Sequence, residues 1–169
     1  MSILTLLTRR ESKAEAEKAF MAVIEEHRRV IYKVSYLYAL DQDDVNDLYQ
    51  DIILNLWKSF PQFKGECNLS TWIYRISLNT SISRIRKKPT AKAVPLTEAM
   101  LIPSDQRSDL MSDVYGLIAR LGELDRALIL LWLEDRPYDE IADIMGISKG
   151  NVAVKLNRVK NKLKEMSNQ

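Results

Sequence analysis

The segment PYDEIADIMGISKGNVAVKLNRVKNKLKEM, residues 137–166, reads as two helices joined by the turn Gly146-Ile147-Ser148. Pro137 presets φ for a helix entry, and Asp139 and Glu140 fall in the first turn, where the helix dipole favours negative charge. Ile141, Ala142 and Met145 supply an apolar face. Gly146 can take the left-handed conformation that ends a helix, and Ser148 is a good N-cap for the one that follows. From Lys149 onward, Val152, Leu156, Val159 and Leu163 recur at helical spacing and mark a buried stripe. The other faces carry Lys149, Asn151, Lys155, Arg158, Lys160, Lys162 and Lys164, with no acid before Glu165. An apolar back with an amide and cationic front suits the DNA major groove, where Asn pairs with adenine and Lys or Arg with guanine or phosphate. A solvated amphipathic helix in a small bundle is the plainer alternative. The small Ala142 ahead of a Gly-Ile-Ser turn favours two closely crossed helices.

The 169 residues allow one or two small domains, and 46% hydrophobic with 28% charged is ordinary globular composition. A net charge of +2 hides segregation: Asp41, Asp43, Asp44, Asp47 and Asp51 form an acidic run, and Arg75, Arg84, Arg86, Lys87 and Lys88 a basic one. Segregated charge points to separate partners. One cysteine, Cys67, excludes an internal disulfide, and with His27 the only histidine there is no ligand set for structural zinc. A reducing cytoplasm is the expected setting, with no cofactor or metal. The apolar run from Ile3 to Leu7 is too short for a signal sequence, and no segment approaches a membrane span, so membrane insertion is not expected.

Residues 1–12 read as a loosely ordered tail, followed by a long helix from about Lys13 to Ala39 whose core stripe includes Phe20, Ile24, Ile31, Val34 and Tyr38. A second helix begins near Asp43, with Val45, Leu48, Ile52 and Leu56 buried and Asp44, Asp47 and Asp51 alongside, Gln50 adjoining. The first acids suit a helix N-terminus, whereas Asp51 lies further in and fits an acidic docking surface for a basic partner. Residues 60–69 form a long loop. Ser70 or Thr71 then caps a third helix, to about Lys88, with Tyr74, Leu78, Ile82 and Ile85 as its apolar stripe. Trp72, Arg75, Asn79 and Arg86 align on a neighbouring face, a mixture able to hold phosphates by charge and unstacked bases by π contact. Trp72 fits a core position equally well. Residues 89–110 read as a linker, interrupted by Pro95 and Pro103. Helices from Asp109 to Arg120 and from Glu123 to Glu134 follow, the latter apolar through Leu124, Leu128, Leu131 and Trp132, as a packing base for the opening pair. The expected fold is all-α, with two small helical domains at residues 13–88 and 111–169.

Three blocks in this order resemble the sigma-70 family of transcription factors, specifically the extracytoplasmic-function type that keeps only the sigma-2 and sigma-4 domains. They are residues 44–51 with Leu56 and Trp57, residues 71–79, and residues 138–142 leading through Gly146-Ile147-Ser148 to Val152 and Arg158. The resemblance covers nearly the whole chain. It implies a non-enzymatic protein that binds core RNA polymerase and directs promoter-specific initiation. Asp44, Asp47, Gln50 and Asp51 would dock on the clamp helices of the polymerase. Lys64, Asn68, Trp72, Arg75, Asn79, Arg86 and Lys87 would recognise and melt the downstream promoter element, binding it as a single strand. Lys149, Gly150, Asn151, Val154, Lys155 and Arg158 would read the upstream element as a duplex, while the exposed side of the helix pair meets the polymerase flap. An anti-sigma factor held between the two domains is a further partner that factors of this kind commonly have.

The chain departs from the family's usual pattern at several positions. Ser83 stands where Asp is frequent, Asn151 where Thr is frequent, and Ala153-Val154 where a Lys-Ser pair is common. Leu121-Gly122 replaces Leu-Pro, and Pro137 a Ser or Thr cap. The changes at 151–154 fall in the reading helix and bear on which promoter is chosen. The rival function is a stand-alone helix-turn-helix repressor, whose N-terminal half would dimerise or sense a signal.

Overall fold

The computed structural model describes residues 3–87 and 109–169, with side chains from residues 12–87 and 113–169. Its helices are α1 (Ile3–Tyr38), α2 (Gln42–Ser59), α3 (Leu69–Lys87), α4 (Asp109–Ala119), α5 (Glu123–Leu133), α6 (Tyr138–Met145) and α7 (Lys149–Ser167). A short 3-10 helix, Phe60–Gln62, follows α2. Helix α1 begins at Ile3, so residues 3–12 continue it rather than forming the expected tail. No Gly or Pro interrupts the chain before Tyr38, so nothing in the backbone chemistry stops the helix from extending. The linker expected at residues 89–110 falls outside the described residues, except for Asp109 and Leu110 at the start of α4.

Helices α1, α2 and α3 pack on one another through the stripes visible in the sequence. Ile31, Val34, Val45, Leu48, Ile52, Leu56, Ile73 and Leu78 are all almost completely buried, each such side chain contributing about 1.5–3 kcal/mol of transfer free energy. Asp41 caps α2 by accepting from the Asp44 backbone N–H at 2.8 Å. The cap of α3 is Asn68, not Ser70 or Thr71: its Oδ1 accepts from the Thr71 backbone N–H at 2.8 Å. An amide one turn earlier outcompetes the hydroxyls, which then lie inside the helix. In the C-terminal unit, Ile118, Leu121, Leu128, Leu131, Ile141, Val152, Leu156 and Val159 form the core. Leu124 and Trp132, expected in the packing base, are exposed. Helix α5 buries a continuous run from Arg126 to Leu131 and leaves these two on its outer side.

The two units pack against each other, α3 against α5 and α6 and α1 against α4, and their apolar cores join into one cluster. Buried Arg126, 8% exposed, donates from Nη1 to the Leu37 carbonyl at 3.0 Å and from Nη2 to the Leu121 carbonyl at 2.9 Å. The guanidinium lies over the Tyr38 ring, 5.1 Å from its centroid. The Tyr38 hydroxyl in turn donates to the Glu123 carbonyl at 2.6 Å. Lys33 pairs with Glu134. At the other end, Glu140 accepts from Thr71 Oγ1 at 2.7 Å and from Arg136 at 2.9 Å, and Arg136 also donates to Ser70 Oγ at 2.7 Å.

Removing the Arg126 guanidinium strands two carbonyls. Arg126→Ala is therefore expected to lose about 2–4 kcal/mol of stability, read from urea unfolding; an unchanged midpoint would contradict this account of the junction. Burial also pushes the Tyr38 hydroxyl well above its ordinary value and that of Tyr74 up to about 12 from 10.0. Each folded-state pKa is raised, so the unfolded chain releases these protons first. The stability they contribute is full below pH 10.0 and falls as pH climbs toward about 12. Urea midpoints across that window should drop, and Tyr74→Phe should shallow the drop.

Candidate nucleic-acid and protein interfaces

Between α2 and α3 lies an open groove of 750 Å³. Asp47, Gln50 and Asp51 line it from α2, and Asn79, Arg84 and Lys87 from α3. Asn55 Nδ2 donates to Thr80 Oγ1 across the groove at 2.9 Å and fixes the spacing of the two helices. The acids divide into two kinds. Asp44 is structural: it accepts from the Leu40 backbone N–H at 2.9 Å and from Arg84 Nη2 at 2.5 Å. Asp51 is exposed and accepts from Arg84 Nη1 at 2.9 Å. Asp47 and Gln50 are exposed, and among the described residues Asp47 makes no ion pair.

Arg84 is the residue that sequence reasoning missed as part of this surface. It belongs to the basic run of the sequence, yet its guanidinium ties the acidic stripe together. The signal was available in the periodicity. At ~100° per residue, Arg84 lies on the side of α3 opposite Arg75 and Arg86, facing α2 and its acids.

The cations and amide aligned on α3 go to two places. Asn79 is exposed at the groove, and so is Lys87. Arg75 instead donates to the Asp143 carbonyl of α6 at 3.1 Å, and Arg86 pairs with Glu123 at 3.3 Å. The Glu123 carboxyl is held below the usual carboxylate range by its own backbone N–H at the start of α5, with Arg86 adding to the effect. Trp72 does not offer a stacking face. It is 8% exposed, with its ring 5.0 Å from Phe63 and 6.4 Å from Phe60. Phe60 also meets Phe20 at 5.3 Å. These aromatics pin the loop before α3 and leave its tip, Lys64, Gly65 and Glu66, exposed. Gly65 has φ 74°, a left-handed value that favours glycine at the turn. Asn68 spends its carbonyl oxygen on the α3 cap and stays exposed.

In the C-terminal unit, Gly146 ends α6 with φ 67° and ψ 34°, and its backbone N–H donates to the Ala142 carbonyl. Ser148 caps α7 by accepting from the Asn151 backbone N–H at 3.2 Å. Val152, Leu156 and Val159 are buried, while Gly150, Asn151, Val154 and Arg158 are exposed and Lys155 is half-buried. Lys149 is tied to Asp139 of α6 at 3.1 Å. Lys160 sits over the Trp132 ring, 3.8 Å from its centroid. The arrangement is a helix-turn-helix with a cationic and amide outer face.

The sequence profile of Sigma-70 region 2 matches residues 23–89, and that of Sigma-70, region 4 matches residues 112–163. RNA polymerase sigma factor SigV of Bacillus subtilis is 27% identical over 151 residues, covering 86% of this chain and 90% of SigV. ECF RNA polymerase sigma factor SigW of the same organism is 24% identical over 173 residues, covering 92% of each. The chain belongs to the sigma-70 family, as a factor of the extracytoplasmic-function type. Its fold is also that of sigma factor RpoE from Bartonella quintana, solved in complex with the anti-sigma factor NepR. The TM-score is 0.72 at 22% identity, over 89% of this chain and 98% of RpoE. The factor thus acts in RNA polymerase promoter recognition and transcription initiation, and a stand-alone repressor is not favoured. No described helix is long and apolar enough to cross a membrane.

Arg84 supports the acidic face from below. Arg84→Ala should cost about 1–2 kcal/mol in urea unfolding, since Asp44 loses a charged hydrogen bond in a mostly buried setting. Asp47→Ala, which loses no partner, should stay within about 0.5 kcal/mol. Equal effects would refute this division of the acids.

Proposed function

We propose that this sigma factor uses its surfaces in three separate contacts. The outer face of α2, presenting Asp47, Gln50 and Asp51, docks on the clamp helices of core polymerase, with Asp44 and Arg84 fixing its shape. The loop tip at Lys64 and Asn68, together with Arg75, Asn79, Arg86 and Lys87 of α3, engages the downstream promoter element and its melted strand. Helix α7 reads the upstream element in the major groove through Gly150, Asn151, Val154, Lys155 and Arg158, with Lys149 at its entry. Trp72 acts by holding the loop against the domain.

The observation that carries this reading is the division of the surface. An acidic face on α2 and an amide and cationic face on α7 stand on one chain, each exposed and each backed by a buried apolar stripe of its own helix. Electrostatic complementarity of this kind selects partners and steers encounter. Arg75 and Arg86 are engaged by the C-terminal unit, so their use on DNA requires the two units to part. Capture of an unstacked base offsets a melting cost of about a few kcal/mol, and no step calls on a catalytic side chain. The setting is the cytoplasm, where the polymerase works, and an anti-sigma protein completes the set of partners.

In vitro transcription with core polymerase on a pool of genomic fragments tests the function and finds the promoter together. Asp47→Lys is expected to weaken association with core at least tenfold while leaving thermal unfolding unchanged. Normal association of that variant would remove α2 from the docking assignment. Asp51→Lys is a poorer probe because it also breaks the pair with Arg84.

A further inference from the structure

Val154 is the most exposed large apolar side chain among the described residues, at 69%. It lies on α7, whose exposed surface is mostly Lys, Asn and Arg, with Ala153 beside it. Neither packing nor helix formation accounts for it. At ~100° per residue it points about 170° away from the centre of the buried stripe Val152, Leu156 and Val159. A β-branched residue is also a weaker helix former than the Lys, Gln or Glu that an exposed position would accept. Its neighbours are Asn151 one turn before and Arg158 one turn after, both exposed, so the three form a ladder on the outer face of the helix.

From that ladder we infer that Val154 is a specificity-determining residue that reads a thymine C5-methyl in the upstream promoter element, beside an adenine read by Asn151. The major-groove edges of the bases offer donors, acceptors and one apolar group, the thymine methyl. An exposed isopropyl group can gain from no other base edge. Asn151 carries the amide that matches the N6 and N7 edge of adenine in two hydrogen bonds. Three residues of helix advance ~4.5 Å along the axis, close to one base-pair step, so Asn151 and Val154 address neighbouring pairs. Arg158, a further turn along, has the reach for guanine or for the phosphates that set the register.

The inference rests on α7 being the upstream reader, and the test separates the two. A factor-dependent promoter is first obtained by transcription with core polymerase and the full chain. Each thymine of its upstream element, on either strand, is then replaced by deoxyuridine, which deletes only the methyl group. The expected result is one position at which deoxyuridine lowers initiation about threefold to fivefold, the worth of one buried methyl. Val154→Ala should lower initiation on the thymine template by a similar factor and erase the difference between the two bases there. Because Val154 is exposed, that variant should unfold at the unchanged temperature. If no deoxyuridine position matters while transcription stays factor-dependent, the thymine assignment is overturned and the sigma reading stands. A deoxyuridine effect that persists undiminished in Val154→Ala gives the methyl to another residue and equally overturns it. Absence of any factor-dependent transcript would remove the sigma reading, and this inference with it.

Discussion

The Arg126 guanidinium is a buried charge that forms no salt bridge among the described residues, although the Glu123 carboxylate acts on it at longer range. Two backbone carbonyls and the face of Tyr38 hold it instead. One carbonyl, that of Leu37, belongs to the last turn of α1, where helix geometry leaves oxygens without intrahelical partners and the dipole is negative. The other, that of Leu121, follows α4. One side chain therefore satisfies the chain ends of a helix in each unit, and burial lowers its pKa, with Tyr38 and the Glu123 carboxylate opposing the shift. Around this point the apolar cores of the two units meet in one cluster, and at its edge Lys33 and Glu134, Thr71 and Glu140, and Arg136 and Ser70 each cross the junction. These polar bonds can be exchanged for others, because each group in them also has good partners in water.

Helix α3 shows how one element serves three purposes by direction alone. Its buried stripe completes the N-terminal core. One edge, with Arg75 and Arg86, faces the C-terminal unit, and the other, with Asn79, Arg84 and Lys87, faces the groove beside α2. The acidic face of α2 is consequently not a loose array of carboxylates. Asp44 and Asp51 are braced by Arg84, and Asp47 stands between them on the same helix with no ion pair among the described residues.

Much of this was legible in the sequence because helical periodicity carries it. The stripes Val45, Leu48, Ile52 and Leu56 on α2 and Val152, Leu156 and Val159 on α7 are buried as expected, and Gly146 and Ser148 end and begin helices in the way their chemistry dictates. Cap identity was less legible. Asn68 and Ser70 differ little as acceptors, and the choice depends on where the loop aromatics set the chain. The fate of Trp72 also depended on how the preceding loop folds, which brings Phe63 and Phe60 against its ring. The largest gap was the meeting of the two units. Charges such as Arg75 and Arg86 look the same in sequence whether they await DNA or already hold a carbonyl and a carboxylate.

The two tethered lysines of α7 change what its positive charge is worth. Lys149 is paired with Asp139 in an exposed contact, and Lys160 rests over Trp132. Each must give up a partner within the unit before it can displace the cations condensed along a duplex, and that displacement supplies most of the non-specific affinity of basic helices for DNA. The helix therefore carries less polyelectrolyte attraction than its lysine count suggests. In the proposed upstream-reading role its hold on DNA would depend more on matching base edges and less on ionic strength, which would suit an element that selects a site for a larger machine already bound elsewhere along the same template.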